Sequence, residues 1–345
     1  MELAILFGGA SFEHEISIVS AITVKEKLSS FDLKFIFCDQ DHSFYLIEAD
    51  NMMAKTFASG AYKKMPRLTL DIGCFVQKKR LRSDKYSFKV LNLIHGADGE
   101  DGTIASLFDF YKISYIGPRM AASVFSYDKR YTKWLADALG VKTLPYEVLF
   151  SDGERKIKTK LPFIIKPSRL GSSIGVSVVQ EESQIDYALD VAFEFDDSVI
   201  VEPFIDGVKE YNLAGYGAGD EIRYSMIEEP QKDVFLDFDK KYLDFSRSTT
   251  VSAADIDDAA EEKFRQVFKR IYRNLFDGAL IRCDFFMIDS EIYINEINPI
   301  PGSMSNYLFK NFEAAIIELL ENLPVRREAG IDYKYIHTIN AVKGK

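Results

Sequence analysis

A chain of 345 residues, 47% hydrophobic and 28% charged, has the composition of a folded globular protein and exceeds the length that one compact core ordinarily serves. Its 43 Lys and Arg against 53 Asp and Glu leave a net charge of −10 with no basic tract able to follow a phosphate backbone, so nucleic acid is not an expected partner. Cys38, Cys74 and Cys283 are too scattered for a disulfide framework or a zinc site, which suits a reducing, cytoplasmic setting; no secretion leader or apolar run of about 18 residues predicts export or a membrane span.

Residues 3–7 predict a buried strand, followed by Gly8-Gly9-Ala10-Ser11, a helix from Glu13 that ends before Ser29, and a second strand over 33–38. This is a β-α-β opening. A second such unit has a strand at 90–94, a Gly-and-acid loop at 95–102, and a helical stripe of Ile104, Leu107, Phe108 and Tyr111. A strand at 114–116 then meets Gly117-Pro118, which sets the first domain boundary. After a helix near 121–139 the pattern changes to strands and short turns, with 163–165, 176–179 and 199–204 the clearest, as expected of a smaller α+β domain. The last third predicts an amphipathic helix through Phe264, Val267, Phe268, Ile271 and Leu275, a strand pair at 279–298, and a closing helix through Leu308, Phe312, Ala315, Ile316, Leu319 and Leu323. No internal repeat or low-complexity segment interrupts this order.

FIIKPSRLGSSIGVSVV (163–179) reads as a strand, a Gly/Ser loop and a second strand, with Lys166 where the first strand ends. A Walker loop would run into a helix; here Val176 and Val178 continue a β alternation, so the unit is a hairpin flap. Gly171 and Gly175 let backbone approach phosphates, the amides and the Ser172 and Ser173 hydroxyls supply donors, and Lys166 adds a point charge. A lone loop of this kind would equally serve as a surface turn. The functional reading gains weight from acidic residues downstream that call for the same ligand.

Those residues lie between Ala279 and Asn298, where ALIRCDFFMI and EIYINEIN flank a turn at Asp289-Ser290. A hairpin centred on residue 290 sets Asp284 opposite Glu296 and Arg282 opposite Asn298, all four on one face. Leu280, Phe286, Ile292 and Ile294 are expected on that face too, so it is at least partly covered. Facing carboxylates repel unless one is protonated or a cation sits between them, and hard oxygen donors suit magnesium shared with phosphates. Arg282 beside them could hold phosphoryl or oxyanion charge. A solvent-facing polar strand side is the alternative.

GGASFEHEIS (8–17), HGADGEDG (95–102), KPSRLGSSIGVS (166–177), DKKYLDF (239–245), and RCDFF with NEINPIPGS (282–303) together resemble the D-alanine:D-alanine ligases of the ATP-grasp superfamily, in motif order and spacing over residues 3–310. The resemblance implies an α/β, ATP-grasp protein with domains at 1–118, 119–211 and 212–345 and a mobile loop near 230–250. It implies that Glu13 binds the ammonium of a first D-alanine in a network with Ser172 and Tyr242. Lys129, Lys166, Gly171, Ser172 and Ser173 would hold the ATP phosphates, and Glu202 and Glu210 the adenine end and ribose. Asp284, Glu296 and Asn298 would hold two Mg2+ ions, with Mn2+ an alternative, and Arg282 would stabilise the transferring phosphoryl. His95, Lys241, Gly302, Tyr307 and Leu308 fall at the substrate side, where the Gly302 backbone would meet the second substrate's carboxylate. Outside the resemblance, Glu13 would also be explained by a helix dipole that favours acids in the first turn, and Lys129 by a solvated helix surface.

The chain departs from the family pattern at three points. Leu170 replaces a Glu before the Gly-Ser-Ser run, Tyr307 stands where a Ser is common, and the interval from Glu202 to Glu210 is one residue longer. The Tyr307 departure predicts weaker binding at the second subsite. The implied reaction joins two D-alanines through an acyl phosphate at the expense of ATP, for peptidoglycan precursor synthesis, in a cytoplasmic homodimer. Its rivals are a ligase with D-lactate or D-serine as acceptor, a dinucleotide-dependent oxidoreductase, and a nucleotide binder without catalysis. The oxidoreductase suffers because GGAS lacks the GxGxxG fingerprint.

Overall fold

The computed structural model describes residues 1–230, 253–273, 275–325 and 327–343, with side chains through 339. Strand β1 (Glu2–Gly8) is apolar and buried beyond its first residue, as a central strand covered on both faces must be. It pairs in parallel with β2 (Asp32–Cys38) on one side and β7 (Lys89–Asn92) on the other. β7 in turn pairs in parallel with β8 (Tyr115–Ile116). Beyond β2 the sheet continues as four antiparallel strands that the apolar periodicity did not reveal: β3 (Phe44–Ile47), β4 (Arg67–Asp71), β5 (Cys74–Lys78) and β6 (Ser83–Tyr86). A short helix, α2 (Ala54–Ala58), lies between β3 and β4. The strand order is β6-β5-β4-β3-β2-β1-β7-β8.

Alternation along β1 divides its side chains between two cores. Leu3, Ile5 and Phe7 meet Ile18, Ala21 and Val24 of α1 (His14–Lys27), whereas Ala4 and Leu6 meet Ile104, Ala105 and Phe108 of α3 (Thr103–Phe110). The chain leaves β1 toward β2 on one side and returns as β7 on the other. Their carboxyl ends therefore form a topological switch point, where open α/β sheets leave a crevice for ligands.

The helix expected near 121–139 is two, α4 (Met120–Tyr127) and α5 (Lys129–Ala138), broken at Asp128. That carboxylate caps α5 by accepting from the Arg130 amide at 2.9 Å. A second sheet has the order β11-β10-β12-β9, from β9 (Glu147–Phe150), β10 (Phe163–Pro167), β11 (Ser177–Val179) and β12 (Ser198–Pro203). α6 (Ile185–Phe193) buries Ala188, Leu189 and Ala192 against it.

The third sheet, β14-β13-β15-β16, comprises β13 (Lys209–Ala218), β14 (Glu221–Glu228), β15 (Leu280–Ile288) and β16 (Glu291–Asn298). α7 (Asp258–Tyr272) covers one face with Phe264, Phe268, Ile271 and Tyr272. The closing helix begins later than expected. Residues Gly302–Leu308 form a tight turn in which Ser303, Met304 and Ser305 have φ of 48°, 56° and 47°, which no right-handed helix accommodates. α8 (Phe312–Glu321) follows, with Asn311 accepting from the Ala314 amide, and α9 (Lys334–Lys343) ends the described chain. Among the described residues no helix is long and apolar enough to cross a membrane.

Candidate active site

The loops after β1 and β7 meet at the switch point. The Ala10 amide donates to Asp98 Oδ2 at 2.9 Å, and Ser11 Oγ donates to the His95 carbonyl at 2.7 Å. Glu13 stands at the N-cap position of α1 without a side-chain capping bond and is only 5% exposed. Its Oε1 accepts from Ser172 Oγ at 2.7 Å, while Oε2 is buried without a hydrogen-bond partner among the described residues. Burial, and then the charge of Glu100, raise its pKa despite the Ser172 bond. An ammonium ion would satisfy both the bare oxygen and the charge. The two loops come so close that a Cβ on Gly96 would lie 2.9 Å from Oε2, and one on Gly171 would lie 3.0 Å from Oε1. Glycine at both positions is thus a condition of the acid's placement.

His95 is buried, and burial lowers its pKa to about 4 against the pull of Glu13, so it is a neutral imidazole at pH 7. Its Nε2 lies 2.9 Å from Ser20 Oγ, and its Nδ1 lies 3.6 Å from Glu100 Oε1. Glu100 is pushed up to about 8, first by burial and also by the charge of Glu296.

The flap between β10 and β11 brings Ser172 to Glu13 through left-handed backbone at Ser172 and Ser173, φ 55° and 59°. Lys129 Nζ donates to the Leu170 carbonyl at 2.5 Å and fixes the base of the flap. Burial depresses the Lys129 pKa even though Glu296 and Glu13 favour its charge. Lys166 Nζ donates to Glu202 Oε2 at 2.8 Å and to Asn295 Oδ1 at 3.2 Å, so the second sheet reaches the third. Burial alone would lower Lys166, but Glu202 outweighs it and the net shift is upward. Glu202, expected at the adenine end, has its carboxylate engaged between Lys166 and the equally buried Lys133. Burial opposes its charge, yet the two ammonium groups hold it at about 2.

On the third sheet Asp284 faces Glu296 and Arg282 faces Asn298, the expected register. Asp284 accepts a fork from Arg282, Nε at 2.6 Å and Nη2 at 2.8 Å, and its Oδ2 also accepts from Asn298 Nδ2 at 3.0 Å. Burial and Glu296 raise the Asp284 pKa in spite of that pairing. The expectation for the neighbouring apolar residues needs correction. Between Asp284 and Phe285 the register shifts, because Asn295 is an extra residue on β16: Phe285 faces Ile294, and Met287 faces Ile292. The bulge turns Ile292 and Ile294 into the opposite face, where they pack with Cys283 and Phe285 in the core under α7. Only Leu280 and Phe286 remain on the side of the carboxylates. Asn295, freed from the ladder alternation, reaches Lys166.

Among the other expected site residues, Glu210 lies on β13 opposite Phe286, and its charge acts on Lys166. Tyr307 packs at the edge of the core beside α1 and acts electrostatically on Arg282. Leu308 is buried in that core. Lys241, Tyr242 and residues 231–250 of the expected lid lie outside the described residues. Four polar residues at the site escaped the sequence reading: Ser20, Glu100, Lys133 and Asn295. Glu100 and Asn295 stand in motif-bearing segments; Ser20 and Lys133 had no signal beyond a polar residue inside an element.

Among the described residues no three carboxylate, imidazole or thiol groups converge on one point. The oxygen cluster is two carboxylates and an amide, a partial ligand set of the kind magnesium completes with phosphate oxygens and water. A lysine-bearing β-flap set against an acidic antiparallel hairpin, joined to an open α/β sheet, defines the ATP-grasp class of nucleotide-dependent enzymes.

Comparison with known proteins narrows the class. Residues 2–118 match the model of the D-ala D-ala ligase N-terminus, and residues 135–317 that of the D-ala D-ala ligase C-terminus. The D-alanine–D-alanine ligase of Sulfurimonas denitrificans is 63% identical over 345 residues, 100% of both chains. The crystal structure of the Helicobacter pylori D-alanine–D-alanine ligase superposes with a TM-score of 0.85 at 48% identity, covering 95% of this chain and 100% of that one. The VanG D-Ala:D-Ser ligase from Enterococcus faecalis gives 0.75 at 27% identity, covering 93% and 98%. The chain belongs to the D-alanine–D-alanine ligase family.

Proposed function

We propose that this protein is an ATP-dependent ligase that joins two D-alanines into D-alanyl-D-alanine, the dipeptide used in peptidoglycan precursor synthesis. The observation that supports it most directly is the buried Glu13 with one unpartnered oxygen, 2.7 Å from Ser172 on a flap whose Lys166 contacts the carboxylate hairpin. An amine-binding acid and a phosphate-binding surface are thereby parts of one contact chain. The first D-alanine sets its ammonium on Glu13, which leaves its carboxylate directed toward the flap. One carboxylate oxygen attacks the γ-phosphorus, and the bond to ADP breaks. The amine of the second D-alanine then attacks the acyl carbon, the amide bond forms, phosphate departs and the nitrogen sheds a proton.

In this reading Lys129 and Lys166 hold phosphate charge. Arg282, oriented by its fork to Asp284, stabilises the phosphoryl group and the oxyanion of the second step. Asp284, Glu296 and Asn298 form an all-oxygen donor set that fits Mg2+, or Mn2+, because two facing carboxylates carry charge that Arg282 does not fully offset. Two such ions would supply charge neutralisation along the phosphates. Gly302 and Tyr307 border the second subsite, Lys241 and Tyr242 act on the substrates, and Glu210 receives the ribose. The domains are 1–118, 119–211 and 212–345, and the enzyme acts in the cytoplasm as a homodimer.

The test is ADP release in the presence of Mg2+ with D-alanine, with L-alanine and with no amino acid. D-Alanine alone should drive turnover, and D-alanyl-D-alanine should accumulate in proportion to ADP. Release that ignores D-alanine would overturn the assignment. Adding D-serine or D-lactate as the competing acceptor measures selectivity, with D-alanine expected to dominate.

A further inference from the structure

Ser20 is a fully buried hydroxyl on α1 that plays no part in the reaction outlined above. It accepts from the Ser303 amide at 3.0 Å and lies 2.9 Å from His95 Nε2. Ser303 opens the run Ser303-Met304-Ser305, three consecutive left-handed residues, none of them glycine. Left-handed backbone is strained for residues that carry a side chain, so the run persists only where its surroundings over-determine it. Three contacts do so: the Met304 amide to the Pro301 carbonyl at 2.7 Å, Asn306 Nδ2 to the Ser303 carbonyl at 2.9 Å, and the Ser303 amide to Ser20. The last ties the turn to α1. The His95 ring has a further hydrogen-bond partner in the Ile300 carbonyl, so Ser20 and His95 together hold the chain on both sides of Gly302.

The same helix carries Glu13 at its start. Residues seven apart share a helix face about two turns, or roughly 10 Å, from each other. α1 is thus a ruler with an ammonium-binding acid at one mark and the anchor of the 302–308 turn at the next.

We propose that Ser20 is the positioning residue of the second amino-acid subsite: its hydroxyl fixes the left-handed turn, and with it the Gly302 backbone that receives the acceptor's α-carboxylate, at a set distance from Glu13. This rests on the reading that Gly302 meets that carboxylate. Ser20 touches neither substrate. In the tautomer with its proton on Nδ1, a neutral His95 accepts a hydrogen bond at Nε2 from the Ser20 hydroxyl while the Ser20 oxygen accepts from the Ser303 amide, which gives the anchor a direction.

The experiment is two-substrate kinetics on the full chain, resolving the KM values of the first and second D-alanine for wild type and Ser20→Ala, with D-alaninamide as an acceptor that lacks the carboxylate. Ser20→Ala should raise the second KM about tenfold, leave the first KM within about twofold, and shrink the preference for D-alanine over D-alaninamide. Unchanged values, or both KM values rising together, would overturn the proposal. If Ser20→Ala does not fold, Ser20→Cys, which keeps the volume and a weaker acceptor, supplies the same comparison. Wild type with no preference for D-alanine over D-alaninamide would instead defeat the Gly302 reading, so the two failures are distinguishable.

Discussion

Glu202 shows how a buried carboxylate keeps its charge inside this fold. Its carboxylate joins Lys133 and Lys166 in a buried triad, and breaking such a group by removing one partner leaves uncompensated charge at a cost of about 3–5 kcal/mol. Glu202→Gln should therefore lose several kcal/mol in urea denaturation at pH 7. Because the folded pKa of about 2 lies below the ordinary 4.5, the carboxylate's contribution is fully present above pH 4.5 and disappears as pH falls toward 2. The stability gap between wild type and variant should close over that window; a gap that widens there would refute the triad. Lys133 was not legible in the sequence, since a lysine on an amphipathic helix ordinarily faces water and its partner lies 69 residues away. Glu13 was singled out through the resemblance carried by GGASFEHEIS, and Lys166 through its place at the strand end before the Gly/Ser loop.

At the level of elements, the hairpin is where pattern reading went furthest and also where it slipped. Period-2 alternation and a turn at Asp289-Ser290 suffice to set Asp284 against Glu296. The bulge at Asn295 was hidden, because an Asn in EIYINEIN fits an alternating strand as well as it fits an insertion. The insertion sends Ile292 and Ile294 to the core and aims Asn295 at Lys166, a re-aiming typical of bulges beside sites. A hydrogen bond to a charged group contributes about 1.5–3 kcal/mol, so Asn295→Ala should raise the KM for ATP roughly tenfold or more with little change in the far-UV spectrum. An unaltered KM would mean that Lys166 is positioned by Glu202 alone. Strands β3 to β6 were illegible for a different reason: they are short, and their edge positions are charged or half exposed, as in the Ser83–Tyr86 strand.

Across the whole molecule, three sheets contribute to one site through a few contacts that cross between them. Glu13 meets Ser172, Phe12 meets Phe195 edge-on with ring centroids 5.3 Å apart, and Lys166 meets Asn295. The fold holds like charges together at its centre: Glu296 acts on Asp284 and on Glu100, and Glu100 acts on Glu13, each raising its neighbour's pKa. Such a cluster opposes folding and is explained by the cations and ammonium groups it would bind. Glu296→Gln separates the two effects. It relieves the repulsion on Asp284 and Glu100 and also removes an attraction to Lys129, Lys166 and Arg282, so the thermal midpoint without ligands should stay near that of wild type. Magnesium-dependent D-alanine ligation should fall about 10²–10³-fold or more, as when a preorganised charge is removed from a transition state. A folded Glu296→Gln enzyme that ligates D-alanine at a rate near wild type would contradict the account.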